Sequence, residues 1–182
     1  MKKTAVIFLL LIWSMVLPAI ILSSPENRTR TVMASVSAFN KGDNLIVLVG
    51  GRKTAVTLWG IDAPEVDQPG GREAVANLYR IVGHNRVRIE VVSRDRYGRI
   101  TGKVYVGGTY LNRQMIADGF AWWDRHEAGA ARDFQGAEVQ ARLAHRGIWQ
   151  NDRNVSPFEW RKKVFNRNAE LGQPETEPVA AP

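Results

Sequence analysis

Cysteine is absent from this chain of 182 residues. That excludes a disulfide framework, an iron–sulfur cluster, a zinc–thiolate site and a thiol nucleophile. Histidine is scarce: His84, His126 and His145 are the only three, which argues against a multi-histidine metal centre. An acidic surplus is also missing. Lys and Arg number 25 against 18 Asp and Glu, a net charge of +7. A basic surface suits nucleic acid, phosphate esters, anionic polysaccharide or a membrane, and serves plain solubility equally often. There is no internal repeat. What is present is a 45% hydrophobic and 24% charged chain, long enough for one domain with one core.

The chain divides into three parts. Residues 1–30 open with Lys2 and Lys3 ahead of an apolar run from Ala5 to Leu22. A charged start before such a run reads as an export signal or, at this length, as a membrane anchor; a buried helix is the third alternative. The first two put the working domain outside the cytoplasmic membrane, secreted or periplasmic, with membrane contact only through residues 5–22. Residues 151–182 form a polar extension whose proline-containing end, 172–182, reads as a disordered tail. The expected state is a monomer.

Residues 31–150 form the domain. Leu45–Val49 and Lys53–Trp59 flank a Gly50-Gly51 turn and predict a hairpin. Arg72–Val82 has helical spacing, with Ala74, Leu78, Ile81 and Val82 on one face and Gly83 as its stop. Arg86–Val92 alternates, placing Val87, Ile89 and Val91 inward. Arg99–Val106 is a further strand, and Leu111–Asp118 a short helix stopped at Gly119. Phe134, Ala137, Ala141 and Ala144 mark a last helix ended by Gly147, with His145 and Arg146 in its final turn. Three strands, a helix, two strands and two helices predict a β-barrel plus α fold: a five-stranded Greek-key barrel of the OB type with about three helices.

Two segments carry chemistry. Trp59-Gly60-Ile61-Asp62-Ala63-Pro64-Glu65 runs from a strand into a loop with two carboxylates. Asp95-Arg96-Tyr97-Gly98-Arg99 is a charged turn before a strand. The Gly42-Asp43-Asn44 turn adds a third carboxylate. Converging acids suit a hard cation such as Ca²⁺, and a nearby arginine suits a phosphate. Together they would suit phosphodiester hydrolysis. Each segment alone reads more readily as an ordinary turn, and Trp122-Trp123 more readily as packing than as a stacking platform.

In this order, Gly42-Asp43, Leu58 to Glu65, Gln68-Pro69, Asp95 to Arg99, Leu111-Asn112-Arg113, Gly119 to Trp123 and Gly147-Ile148-Trp149 resemble the thermonuclease (staphylococcal-nuclease-like) family. The resemblance spans about residues 36–149. It implies an OB-fold and a secreted, Ca²⁺-dependent nuclease acting on DNA and RNA. Asp43 and Asp62 would be metal carboxylates, with the Ala63 carbonyl as a further ligand. Glu65 would orient or deprotonate water, and Arg99 would contact the phosphate and leaving group. Arg96 and Tyr97 would contact a terminal phosphate.

The chain departs from that family's pattern twice. Thr57 stands where the family has a second catalytic arginine, and it cannot form a charged bidentate fork. Lys41 stands where the family has an acid, and its charge should weaken Ca²⁺ binding. The expectation is therefore a nuclease of weak or altered activity. The alternative is a catalytically lapsed accessory or binding module that grips nucleic acid or an acidic polysaccharide. The chain also looks like nuclease-like proteins that accompany rhizobial exopolysaccharide (succinoglycan) synthesis, and nothing in its composition bears on that role.

Overall fold

The computed structural model describes residues 30–151 and 153–171. The expectations for residues 5–22 and for the tail 172–182 lie outside the described residues. Among the described residues, no helix is long and apolar enough to cross a membrane.

The first strand, β1 (Thr31–Lys41), is bordered by β2 (Asn44–Val49) on one side and β5 (Arg86–Arg94) on the other, both antiparallel. Strand β2 turns at Gly50-Gly51 into β3 (Arg52–Leu58), as the hairpin pattern predicts. Strand β5 pairs antiparallel with β6 (Ile100–Val106). The barrel closes where β3 meets β6 in parallel, Val56 opposite Ile100 and Leu58 opposite Gly102. Five strands thus form a closed mixed barrel. A short β7 (Thr109–Tyr110) extends it, and β4 (Ile61–Asp62) pairs separately with β8 (Trp122–Trp123).

Alternation decides what fills the barrel. Leu45 and Val47, Val56 and Leu58, Val87 and Ile89, and Ile100 and Val104 all point inward and are buried. Val91 is only half-buried, because β5 breaks register between Val91 and Ser93 as it leaves the barrel. Helix α1 (Gly71–Val82) lays Ala74, Leu78 and Val82 on the core and ends at Gly83. Helix α2 (Leu111–Ala117) adds Leu111, Met115 and Ile116, and α3 (Arg132–Leu143) adds Phe134 and Ala137. Phe134 packs its ring against Trp59 and Tyr110. The tryptophan pair is packing, as expected: Trp122 meets Trp149 edge-on, and the Trp123 indole donates to the Ala128 carbonyl at 2.9 Å.

One buried side chain fastens the closing seam. Asn112, fully buried, accepts a hydrogen bond from the Val104 N–H at 2.9 Å. Its amide donates to the Trp59 carbonyl at 2.8 Å and the Gly102 carbonyl at 3.1 Å. It therefore holds β3's end to β6.

Two expectations about the C-terminal half need correction. Helix α3 ends at Leu143 rather than at Gly147, and Ala144 is exposed rather than on the core face. His145 adopts φ +48 and turns the chain out of the helix, so His145 and Arg146 lie beyond its last turn. Gly147 instead opens a single 3-10 turn over Gly147–Gln150, where its Cα backs onto the Gly119 carbonyl. The sequence predicts about three helices, and the extension after residue 150 raises the number among the described residues to four. It contains a fourth helix, α4 (Pro157–Glu170). Ser156 caps it by accepting from the Glu159 N–H, while the Glu159 carboxylate accepts from the Ser156 N–H at 3.0 Å.

Candidate active site

The β1–β2 turn brings Lys41 and Asp43 to one end of the barrel, beside β4 with Asp62 and the loop that follows with Glu65. Asp43 is 5% exposed. Its backbone carbonyl accepts from Leu58 N–H at 2.8 Å, and its Oδ2 accepts from the Ala63 N–H at 2.9 Å. Ala63 thus enters the site through its amide, locking the Asp43 turn to the carboxylate loop. Burial pushes the Asp43 carboxyl up to about 6, against the opposing pull of the Lys41 charge.

Glu65 is aimed by a loop that folds back on itself. Its N–H donates to Gln68 Oε1 at 3.1 Å, Gln68 N–H returns to the Glu65 carbonyl at 2.9 Å, and Gly71 N–H donates to the Gln68 carbonyl at 2.9 Å. A Cβ on Gly71 would lie 1.8 Å from the Glu65 carbonyl oxygen, so only glycine permits this closure.

The three carboxylates do converge, and they converge on a lysine. Lys41 Nζ lies 3.4 Å from Asp43 Oδ2, 3.3 Å from Asp62 Oδ1 and 3.0 Å from Glu65 Oε1. Burial alone would lower the ammonium's pKa; Asp43, Asp62 and Glu65 outweigh it, and the pKa stands raised. A second cation comes from α4. Arg161 makes a two-point contact with Asp62, Nη2 to Oδ2 at 2.9 Å and Nη1 to Oδ1 at 3.3 Å. The same Nη1 donates to Glu65 Oε1 at 2.6 Å. These bonds, the Asp62 pair first, raise the guanidinium's pKa against the opposing effect of burial. Two positive groups therefore sit among three acids.

This donor set does not fit a divalent metal as it is arranged. An ammonium holds the point that all three carboxylates share. Among the described residues no group of three His, Cys, Asp or Glu side chains is placed to hold a metal ion.

The second motif stands apart from these contacts. Asp95 shapes the charged turn, accepting from the N–H groups of Tyr97 and Arg99, each at 2.9 Å. Arg99 Nε is bonded to Asp95 Oδ2 at 2.6 Å, and Arg99 is exposed. That bond and the backbone donors hold the Asp95 carboxyl below its ordinary value. The guanidiniums of Arg96 and Arg99 lie 4.8 and 5.5 Å from the centre of the exposed Tyr97 ring. This turn thus presents an aromatic ring and two arginines to solvent. Thr57, on β3, accepts from the Asn44 amide at 3.1 Å and brings no charge.

Arg161 is the residue that the sequence reading passed over. Its partners lie nearly a hundred positions upstream, so no local spacing announces them. The capping signal Ser156-Pro157-Phe158-Glu159 announces its helix.

A closed five-stranded barrel with a carboxylate loop at its end and a basic turn before β6 is the architecture of a thermonuclease-like OB fold. The model of the staphylococcal nuclease homologue family matches residues 55–151. The chain belongs to that family. It is 33% identical over 141 residues to a staphylococcal-like nuclease of Arabidopsis thaliana, covering 76% of this chain and 42% of that protein. It is 32% identical over 124 residues to an uncharacterized endonuclease of Escherichia coli, covering 67% of this chain and 80% of that one. The Escherichia coli protein ParB is 33% identical over 139 residues, 71% of this chain and 78% of its own length. The chain spans less than half the length of the plant relative.

Proposed function

We propose that this chain acts on nucleic acid as a slow phosphodiesterase. The convergence of Asp43, Asp62 and Glu65 on one cationic centre carries this reading, and the family's nuclease relatives support it. In the reaction, the oxygen of a water bonds to phosphorus while a P–O ester bond breaks. Glu65 takes the water's proton, and the departing oxygen, faced by Arg99 once released from Asp95, leaves with the bond's electron pair and takes a proton from solvent. Arg96 and Tyr97 grip the strand from the exposed turn. The rate is low for two reasons. Thr57 supplies no guanidinium to the charged transition state, and Glu65 Oε1 already accepts from Lys41 and Arg161. Ca²⁺ dependence, if retained, requires those cations to yield. Residues 5–22 would carry the domain out of the cytoplasm.

The test compares cleavage of single- and double-stranded DNA, with Ca²⁺ and with chelator, by the unaltered chain, Thr57→Arg, and Thr57→Arg with Glu65→Gln. Thr57→Arg should raise the rate by about 10- to 1,000-fold, less than a full arginine effect because no packed shell holds the new side chain. The double variant should lose that gain. A gain that survives Glu65→Gln would move the chemistry elsewhere. A second reading rests on the same cations: with both in place, the chain is a binding module for nucleic acid or acidic polysaccharide. Tight binding of an acidic polysaccharide with none of single-stranded DNA would favour it.

A further inference from the structure

We propose that α4 is an internal plug: Arg161, seated over Lys41, holds the place a divalent cation would need, so α4 docking and metal binding exclude each other. This rests on the nuclease-like reading for the site's identity and adds its regulation.

Three observations carry it. The first is the geometry of occupation. The Arg161 guanidinium takes both oxygens of Asp62 and one of Glu65, and Lys41 takes an oxygen from each of the three acids. A divalent ion drawn to these oxygens would lie against two like charges, which repel it strongly at such range. Lys41 sits on a barrel strand and can yield only by swinging its stem, whereas Arg161 can also leave with its helix.

The second is how little else holds α4. Pro157 is its one fully buried residue, and the apolar side chains beside it, Trp160 and Val164, are only half-buried. Phe158 and Phe165 are exposed, and the buried Trp160 indole N–H finds no hydrogen-bond partner among the described residues. Besides Arg161, the polar tethers lie in the segment ahead of the helix: Gln68 Nε2 donates to the Val155 carbonyl at 2.9 Å, and the Asn154 amide donates to the Ile148 carbonyl. A large apolar interface would hold the helix whatever ion entered the site; this small one leaves much of the docking to the charge contact.

The third is that the helix is independent at its start. The Ser156–Glu159 capping box satisfies its first N–H groups without help from the barrel. Leaving the site therefore strands none of those donors.

The tether through Gln68 makes the coupling two-way. Gln68 also receives the Glu65 N–H, so one side chain links the carboxylate loop to the segment that leads into α4. Movement of either is felt by the other.

The test uses the purified full chain, Arg161→Ala, Arg161→Lys and Lys41→Ala, with Ca²⁺ as the probe. Calorimetry should show Ca²⁺ binding at least tenfold tighter in Arg161→Ala than in the unaltered chain. Arg161→Lys, which keeps the charge but not the fork, should fall between them. Helix position is read separately. The chain has no cysteine, so Lys53→Cys with Arg167→Cys gives two unique spin-label sites. Their distance should lengthen and broaden in millimolar Ca²⁺, and should already do so without Ca²⁺ when Arg161→Ala is added. Equal Ca²⁺ affinity in all four proteins, or no binding in any, overturns the competition. A label distance unmoved by Arg161→Ala overturns the plug. Cleavage that falls tenfold or more in Arg161→Ala would make Arg161 a phosphate clamp, with the same consequence. These readouts do not need the chain to cleave DNA, so a failed nuclease reading and a failed plug are told apart.

Discussion

Phe134, Leu58 and Ile89 are sealed inside the barrel and its covering helices, whereas α4 fully buries Pro157 alone and meets the carboxylates of the site through one guanidinium. Barrel contacts rest on apolar area removed from water, which salt and metal barely affect. The contact of α4 with the carboxylates rests on charge, which screening and competing cations weaken directly. One chain therefore carries a rigid scaffold and a detachable cover. The acids of the site belong to the first, and one of their cationic partners to the second.

The contrast is tested hardest inside the barrel. Phe134→Ala removes a fully buried ring that touches Trp59 and Tyr110. It should cost about 3–5 kcal/mol of unfolding free energy, read from the urea midpoint at constant slope. A loss below about 1 kcal/mol would show that α3 packs less firmly on the barrel than its burial implies.

A middle-sized effect lies at Asp43, where scaffold and site overlap. Its folded-state carboxyl stands at about 6, above the ordinary value of 3.8, because burial disfavours the charged form. Its contribution to stability is therefore full below pH 3.8 and is lost as pH rises through 6. Between pH 4 and 7 the Asp43→Asn variant should gain on the unaltered chain by about 2 kcal/mol, from urea titrations across that range. A difference independent of pH would mean that Lys41 compensates the buried charge in full.

The smallest effect is expected at the cover. Arg161 is half-exposed, and its ion pairs face water on one side. Arg161→Ala should shift global stability by no more than about 1 kcal/mol, in contrast to its large effect on helix position. A shift of several kcal/mol would make α4 part of the scaffold.

What could be read in advance follows the same division. Strand alternation places Leu45, Val47, Val56, Leu58, Val87 and Ile89, and the helical stripe of α1 places Ala74 and Leu78, because these patterns are local and each residue carries its own burial signal. Asp43, Asp62 and Glu65 were legible through their turn and loop, although not the lysine between them as their common partner. Arg99 is expected at a phosphate, and its bond to Asp95, four residues away, is a pairing that its own turn supplies. The end of α3 was misplaced because the glycine rule pointed to Gly147, while His145 itself adopts the positive φ. Helix α4 was passed over because its face is mostly polar; only its capping box announces it. The Arg161 pairs join distant segments, and distance along the chain erases any periodic signal.

The closing seam has a kinetic consequence. Val56, Thr57 and Leu58 meet Ile100, Thr101 and Gly102 in parallel, so no hairpin can bring them together; α1 and β5 lie between. Such a pairing must wait for non-local loop closure, and Asn112, arriving later still in the chain, completes it through the Trp59 and Gly102 carbonyls. The seam is thus expected to form last during folding and to open first under partial destabilisation. The amide of Trp59, bonded across the seam to the Gly102 carbonyl, would then exchange with solvent before those of the β1–β2 hairpin.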